Sequence, residues 1–527
     1  MKLDTIVGHL GGRCKGHCEE QEQWRDEAPE SADVKASIDS RMEKLLGFVD
    51  RKNDKRDLDE VEGGLHEQLL ALGRLLLTYH VVRRAEQSEK KAVESWIRKG
   101  FRPRERQRKF VCTLFGRITI WRSHVRKPGG DGLHPLDLEL RIPADGFSAL
   151  VSSTVARSST LVSYEQVTAL MLYFLGWSPS KTSVEKAVLG FGRHTGDWFE
   201  AAPAPEGDGE VLVIQVDSKA TPTATEEELE KRRWKRKADA KAPSPRHRGR
   251  QKRERRGPKK RRKKGDHSKN GRAATIVVMY TLRKARDDAG NPLLLGPVNK
   301  RYYASYAPKR HAFAIARREA DKRGFTESSK KTIHFVTDGD EDLQRYREEL
   351  FPTARHTLDI VHALEYFWEA GRFAFDEGSD ELAKWVKKQE RRLYAGKASQ
   401  AILSLNELEI ASRHRKRLRE IFGYLQKRMG MMHYDELRAE DLDVATGAVE
   451  GAVRHVIAKR FDSSGMRWIR ERAEALLQLR CIEINGDWEA FTAFVKEKAL
   501  ASDQVDVEAR RLLTVQHSSL PTFGLAA

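Results

Sequence analysis

The sequence predicts a protein of the α+β/α/β class, with a mixed β-sheet core, an all-helical insertion and a mainly helical N-terminal region. Apolar runs of strand length begin at residue 211 and alternate with helical patterns as far as residue 368. Helical periodicity in a highly charged stretch returns over residues 379–442. Before residue 200, helical patterns flank one predicted pair of strands.

The N-terminal region begins with helical periodicity over residues 33–46 and 65–99, the second with apolar side chains every three or four residues. Residues 108–125, "RKFVCTLFGRITIWRSHV", predict two strands joined at a Phe-Gly pair. Residues 134–143, "HPLDLELRIP", predict a loop and a short strand.

Residues 163–192 predict two helices separated by a tight turn. Ser163 and Gln166 have the spacing of a capping box, Gly176 breaks the pattern, and Ser178 before a proline predicts the next helix start. This spacing is that of a helix-turn-helix. An ordinary helical hairpin in a bundle has the same spacing, and the sequence leaves both readings open.

Strand-like runs follow in the order expected of a mixed sheet. The first, "VLVIQV", has five apolar residues in six positions. The five runs begin at residues 211, 273, 300, 332 and 355. The first three can pair as a meander, and helix then alternates with strand, which is the element order of a ribonuclease H-like fold.

Positive charge is concentrated in one basic insert, residues 226–270. Between residues 231 and 264 there are 20 Lys and Arg against two acids, a balance of +18, whereas the whole chain carries +19. With three prolines and one aromatic residue there, we expect disorder in the free protein and contacts to DNA phosphates without base reading. The cations expected to contact DNA are Arg232, Arg233, Lys235, Arg236, Arg255, Arg256, Lys259, Lys260, Arg261 and Arg262.

Base reading is expected from the helical pair instead, with Lys181 and Lys186 on its second helix facing DNA. The run "KKRRKK" within the basic insert also has the composition of a nuclear address.

Composition excludes several protein classes. Four scattered cysteines do not make a disulfide framework, and no apolar run approaches the roughly 20 residues of a membrane span. We therefore expect a cytoplasmic protein without a membrane partner. Cys14, His17 and Cys18 are too tightly spaced for an ordinary zinc knuckle with His9, and no structural metal is predicted.

Three acids occupy positions where chemistry is expected. Asp217 closes the first predicted strand, Asp338 closes the fourth, and Glu450 lies early in a helix that opens near Thr446. Those strands are neighbours in a ribonuclease H-like sheet, so their terminal acids can meet, and the helix can bring the third. Three carboxylates suit two Mg²⁺ ions about 4 Å apart, with Mn²⁺ as a substitute, because hard cations prefer oxygen ligands. Each acid also has an ordinary alternative: a turn, a helix cap or, for Glu450, an ion pair with Arg454.

Five segments together resemble a known family: "VIQVDSKA", "HFVTDGD", "LDIVHALEYFWEAG", "TGAVEGAVRHVIAKRFDSSGMRW" and "ALLQLRCIEINGDW". In this order they are similar to bacterial insertion-sequence transposases of the DDE class, most closely the Kra-type family, which is akin to the mutator-like group. The similarity covers roughly residues 110–488. Asp359 and His362 also resemble the Cys/Asp-x-x-His signature of mutator-like transposases.

The resemblance implies a ribonuclease H-like core interrupted by a helical domain, and Mg²⁺-dependent DNA cleavage followed by strand transfer. It implies that Asp217, Asp338 and Glu450 are the metal-binding acids. Asp359 and His362 would lie near the active site and orient DNA or water, although a buried histidine bonded to its own helix is an equal alternative. Relatives often carry paired zinc-ribbon cysteines after the predicted strand pair, and this chain has none there.

These inferences divide the chain into predicted segments. They are an N-terminal helical region (1–105), a small β-rich segment at the zinc-ribbon position (106–145), a helix-turn-helix-like region (146–200), the first part of the core (208–375), a helical insertion (376–445), the core completion with the third acid (446–498) and a tail (499–527).

The expected partners are the element's terminal repeats and target DNA, bound by a homo-oligomer in the bacterial cytoplasm at the nucleoid. Two other functions remain open. One is a ribonuclease H-like nuclease without strand transfer, and the other is a non-catalytic DNA-binding protein derived from a transposase.

Overall fold

A computed structural model describes residues 24, 27–52, 54–130, 132–143, 146–224, 226–227, 230–231, 233–234, 272–462 and 468–505. The chain divides into two compact units. One is Met1–Phe191 with Thr492–Ala527, and the other is Gly192–Phe491. Within the described ranges, no helix is both long and apolar enough to cross a membrane.

The first unit contains helices around a small antiparallel sheet of order β1-β2-β3. In chain order its elements are α1 (Ser31–Val49), α2 (Leu58–Arg84), α3 (Lys90–Arg98), β1 (Arg102–Thr113), β2 (Gly116–Arg126), β3 (Gly132–Leu133), α4 (Pro135–Glu139), α5 (Ala149–Leu161), α6 (Tyr164–Leu175) and α7 (Lys181–Gly192). A π-helical turn, Ala85–Glu89, joins α2 to α3, so the predicted helix over residues 65–99 is one long helical segment that begins earlier. Asp57 caps its start by accepting from the backbone N–H of Glu60.

Two local predictions in this unit were wrong. Residues 134–143 begin with the short helix α4 instead of a strand, because Pro135 at its first position has the backbone angle that a helix start requires. Helix α7 begins at Lys181, and its cap is Ser180, whose hydroxyl accepts from Ser183 N at 3.1 Å. Ser178 lies outside the helix, since a second serine two residues later offers the same cap.

The capping box predicted for α6 is present. Ser163 Oγ accepts from Gln166 N at 3.3 Å, and Gln166 Oε1 accepts from Ser163 N at 3.0 Å. The helix ends at Gly176, which has a φ of +69°. The sequence therefore determines both ends of α6 locally.

The second unit is built on a mixed five-stranded sheet. Its elements, in chain order, are α8 (Thr195–Ala201), β4 (Val211–Thr221), β5 (Thr223–Ala224), β6 (Arg272–Arg286), β7 (Pro292–Ser305), α9 (Lys309–Lys322), β8 (Thr332–Thr337), α10 (Glu341–Leu350), β9 (Arg355–Leu358), α11 (Ile360–Gly371), α12 (Asp380–Tyr394), α13 (Ala398–Leu403), α14 (Arg415–Lys427), α15 (Tyr434–Ala439), α16 (Gly447–Ala452), α17 (Lys459–Phe461), β10 (Trp468–Ile469) and α18 (Arg470–Ile484). The last helix, α19 (Trp488–Val505), begins in this unit, and its residues from Thr492 onward belong to the first.

The large sheet has the order β7-β6-β4-β8-β9, with β4 antiparallel to β6 and parallel to β8. The first three strands form the predicted meander, and β8 and β9 extend the sheet on the other side of β4. This order is compatible with a ribonuclease H-like core. Strand β5 pairs separately, in parallel, with β10.

The two faces of β4 have different environments, because successive side chains of a strand point to opposite faces. Leu212, Ile214 and Val216 belong to the hydrophobic core that includes Phe313 of α9 and Phe335 of β8. The alternate residues of β4 point to the other face, against which α16 packs. The acids lie on this second face.

Residues 380–439 are helical as predicted, but they do not form a separate body. They belong to the same compact unit as the sheet. Tyr434 of α15 is buried, and its hydroxyl donates to the carbonyl oxygen of Leu358 in β9 at 2.9 Å. The insertion is therefore attached to β9, the edge strand next to β8, and Asp338 directly follows β8.

Candidate active site

Asp217 and Asp338 lie at aligned positions on neighbouring parallel strands. The register pairs Val216 of β4 with Thr337, the last residue of β8, so the two acids are the next residues along each chain. Both are partly buried, and side-chain alternation directs both to the face that α16 covers. The fold thus brings together two acids that are far apart in the sequence.

Glu450 reaches the same face on α16, and Gln215 attaches that helix to β4. Gln215 Oε1 accepts from Val449 N at 3.0 Å, and its Nε2 donates to Ala445 O at 3.3 Å. Gln215 is 1% exposed and lies two residues before Asp217, on the same face of the strand. One strand therefore carries the first acid and positions the helix of the third.

The electrostatics of Asp217 reflect this arrangement. Burial raises the pKa of Asp217 above its usual value, and the negative charges of Asp338 and Glu450 raise it further. The backbone N–H of Ser218, which donates to Asp217 Oδ1 at 2.6 Å, and the nearby His362 oppose this rise. Burial and two neighbouring carboxylates thus together disfavour the charged form of Asp217.

The donor set fits a hard divalent cation in chemistry, since it consists of carboxylate oxygens. Among the described residues, however, no three Asp, Glu, His or Cys side chains are close enough together to hold a metal ion as they stand. Glu450 is exposed and has no ion pair, with Arg454 or any other residue, in the described part of the chain. Its side chain is therefore free to turn toward the other two acids.

The turn after β8 is held by the helical insertion. Tyr424 of α14 donates from its hydroxyl to Asp338 O at 2.6 Å. Arg428, which is buried, donates from Nε to Gly339 O at 2.6 Å, and its guanidinium lies 3.8 Å from the ring centroid of Tyr424. Gly339 has a φ of +79°. The insertion thus determines where the second acid stands.

The acids that follow Asp338 have other roles. Asp340 caps α10, accepting from Asp342 N at 2.9 Å and Leu343 N at 3.2 Å. It also pairs with Lys309 Nζ at 3.0 Å. Its carboxylate is therefore already engaged, which leaves Asp338 as the acid that influences Asp217.

Asp359, the N-cap of α11, and His362, in its first turn, differ in exposure. Asp359 is 2% exposed, accepts from Val361 N at 2.8 Å and accepts a hydrogen bond from the hydroxyl of Thr446, the N-cap of α16. It ties α11 to the helix of the third acid. His362 is partly buried, lies close enough to influence Asp217, and contacts Glu365 of its own helix at 3.3 Å.

Few of the predicted DNA contacts fall within the described residues. Lys186 is exposed, and Lys181, also exposed, pairs with Glu165 at 3.1 Å. Arg233 is exposed at the start of the basic insert. The other predicted contacts lie outside the described residues: Arg232, Lys235, Arg236, Arg255, Arg256, Lys259, Lys260, Arg261 and Arg262.

Sequence reasoning missed the residues that position the acids. Gln215 did leave a signal, because it is the one polar residue within "VLVIQV", and a buried amide requires partners. Tyr424 and Arg428 lie four residues apart on one helix face, but nothing in the sequence indicates that they contact the turn after β8. Thr446 was recognised only as a helix start.

Comparison with known proteins does not identify a family for this chain. No protein-family model matches the chain, and no curated protein matches its sequence. A solved structure that it resembles in part is the Drosophila P element transposase strand transfer complex, at 11% sequence identity over 68% of this chain and 84% of that chain, with a TM-score of 0.20. Values this low do not establish a shared fold.

Proposed function

We propose that this chain is a DDE-type transposase of a bacterial insertion sequence, resembling the Kra-type family, which binds the element ends and catalyses Mg²⁺-dependent DNA cleavage and strand transfer. The observation that carries the proposal is the convergence of Asp217, Asp338 and Glu450 on one face of a mixed sheet. A buried glutamine holding the helix of the third acid against the strand of the first supports it. The protein acts in the cytoplasm as a homo-oligomer on paired ends.

In this proposal, Asp217, Asp338 and Glu450 would hold two Mg²⁺ ions. Bound there, the ions supply activation of a water or a DNA 3′ hydroxyl and stabilisation of the leaving oxygen. The protein's own residues position the acids: Gln215 and the pair Asp359–Thr446 fix α16, and the insertion fixes the turn after β8. Basic residues such as the exposed Lys186, together with those of the basic insert, attract the phosphates.

Incubation of the full chain with Mg²⁺ and a labelled duplex of the element end tests the proposal. A transposase cleaves at the end of the element and joins it to a second DNA. Cleavage without joined products would instead favour a ribonuclease H-like nuclease, and binding alone would favour a non-catalytic DNA-binding protein. The proposal predicts short inverted repeats flanking the gene, and these would supply the duplex sequence.

Gln215→Leu is expected to weaken both the fold and the metal response. The change leaves Val449 N and Ala445 O without their side-chain partner, which costs about 1–3 kcal/mol of unfolding free energy. It also releases the helix of Glu450. Saturating Mg²⁺ should therefore raise the unfolding midpoint of the wild type in urea more than that of the variant.

Gln389→Leu is the matched control. Gln389 is also 1% exposed in the same compact unit, and it bonds Ser404 and Arg392 of the insertion. It should lose comparable stability and keep the full Mg²⁺ response. An equal response in all three proteins would contradict the positioning role of Gln215.

A further inference from the structure

The first seven residues of β1, residues 102–108, are all exposed. A strand that packs on one face alternates between buried and exposed residues. Here four arginines, Arg102, Arg104, Arg106 and Arg108, occupy alternate positions in the sequence. Burial therefore does not explain the composition of this stretch.

The segment that contains it is strongly basic. From residue 98 to residue 130 there are eleven Lys and Arg and one acid, Glu105, a balance of +10. With residues 231–264 of the basic insert at +18 and the whole chain at +19, the remaining residues carry −9. The overall charge thus conceals a second basic region, which lies in the first compact unit.

Ion pairs neutralise only part of this charge. Arg106 pairs with Glu89 at 3.3 Å, and Arg122 pairs with Asp137. In the described part of the chain, no carboxylate forms an ion pair with Arg102, Arg104 or Arg126. These three side chains belong to what we call the basic ribbon, residues 102–108 of β1 and 122–126 of β2.

The register of the basic ribbon places one pair of like charges opposite one another and a third arginine opposite a histidine. Arg102 pairs with Arg126 across the strands, and Arg104 pairs with His124. Like charges directly opposite in an antiparallel pair are destabilising. Their field also acts on His124, whose pKa is lowered first by burial and then by Arg126 and Arg104. Folding alone does not favour this arrangement, whereas an anionic partner would relieve it.

We propose that the basic ribbon is a binding site for duplex DNA, separate from the basic insert and from the candidate active site. Two paired antiparallel strands fit the major groove of B-form DNA, and β1 with β2 presents such a pair along the exposed β1 edge, with the short β3 on the other side of β2 at Val125 and Arg126. The arginines without an ion pair lie near this end and are placed to contact phosphates. The deep, narrow major groove of an RNA duplex does not admit such a ribbon. Binding of DNA by the basic ribbon does not require that the protein cleave DNA, so the two proposals can fail separately.

One other explanation exists for charges on β1, which is an edge strand of its sheet. Charged side chains on an exposed edge prevent association with other chains. That role predicts self-association when the arginines are removed, and no change in DNA affinity. The two explanations therefore differ in measurable ways.

The test measures how tightly the full-length protein binds a labelled 30-base-pair DNA duplex without Mg²⁺. Fluorescence anisotropy gives the affinity at each of a series of salt concentrations. Arg102→Ala/Arg104→Ala/Arg126→Ala should reduce the slope of log affinity against log salt by about 2 to 3, since each phosphate contact contributes about 0.9. The affinity itself should fall roughly tenfold or more. The thermal unfolding midpoint should stay unchanged or rise, because like charges are removed.

Lys35→Ala/Lys44→Ala/Lys52→Ala is the matched control. These three exposed lysines belong to the same compact unit and lie among acids, and the triple change removes the same charge. It should leave the salt slope within 1 of the wild type. Equal slopes for the two triple variants would overturn the proposal, and self-association of the arginine variant with unchanged DNA affinity would assign the charges to edge protection. An equal loss of affinity for an RNA duplex would overturn the choice of DNA.

Discussion

Asp217→Asn is expected to abolish Mg²⁺-dependent DNA cleavage and, at the same time, to stabilise the protein. The change removes a carboxylate proposed to hold metal, and the cleavage rate should fall by about 10³-fold or more, equivalent to about 4 kcal/mol of barrier. Asparagine still offers an oxygen to Ser218 N, so the local backbone is retained. Single-turnover cleavage of the element-end duplex measures the first effect.

The stability gain follows from the charges around Asp217. Its pKa is raised in the folded protein by burial and by Asp338 and Glu450, so ionisation disfavours folding. For a carboxyl group with a raised folded pKa, stability is highest below the ordinary value of 3.8 and declines as pH rises through the folded pKa. Asparagine avoids this decline, and we expect a gain of about 0.5–2 kcal/mol at pH 7 and none near pH 3.

Urea unfolding of the variant and the wild type at both pH values, without metal, checks the gain. Asp376→Asn is the matched control, because Asp376 is an exposed acid of the same compact unit without a side-chain partner in the described structure. It should change neither cleavage nor the pH dependence of stability. Wild-type cleavage by Asp217→Asn would refute the proposed triad, whereas a variant that is inactive but not stabilised would refute only the electrostatic account.

Local patterns predicted much of this fold. The run "VLVIQV" corresponds to β4, and the succession of later strands and helices agrees with the observed sheet. Short-range chemistry also identified the capping box of α6. Where two neighbouring serines offered equivalent caps, the sequence did not decide between them, and the start of α7 was misplaced.

The candidate acids could be named from the sequence because each one follows an apolar run or lies near a helix start. The predicted strand end at Asp217 was wrong, since β4 continues to Thr221 by pairing with β6. The supports of these acids could not be named, since hydrogen bonds such as Gln215 to Val449 and Arg428 to Gly339 join residues remote in the chain. The basic ribbon was missed for another reason. A whole-chain charge adds regions of opposite sign, so a balance of +10 disappeared against acids elsewhere.

Gly339→Ala is expected to disturb both stability and cleavage, because this glycine lies between the second acid and the helix that holds it. A Cβ atom there would stand 2.6 Å from Tyr424 Oη, 2.7 Å from Arg428 Nε and 2.7 Å from Leu358 Cδ1. The φ of +79° adds backbone strain of about 1–2 kcal/mol, and overpacking adds about 1–3 kcal/mol. We expect a total loss of about 2–5 kcal/mol of unfolding free energy.

Gly378→Ala separates these two contributions. Gly378 has a φ of +82°, but a Cβ atom there would meet nothing within 4 Å. This control should lose only the strain, about 1–2 kcal/mol, and cleave DNA at the wild-type rate. Gly339→Ala should also cleave about 10²-fold more slowly, because crowding that moves Tyr424 and Arg428 shifts Asp338, and a displacement of about 1 Å is enough for such a loss. Equal stability losses and equal cleavage rates for the two variants would show that the insertion does not position the second acid.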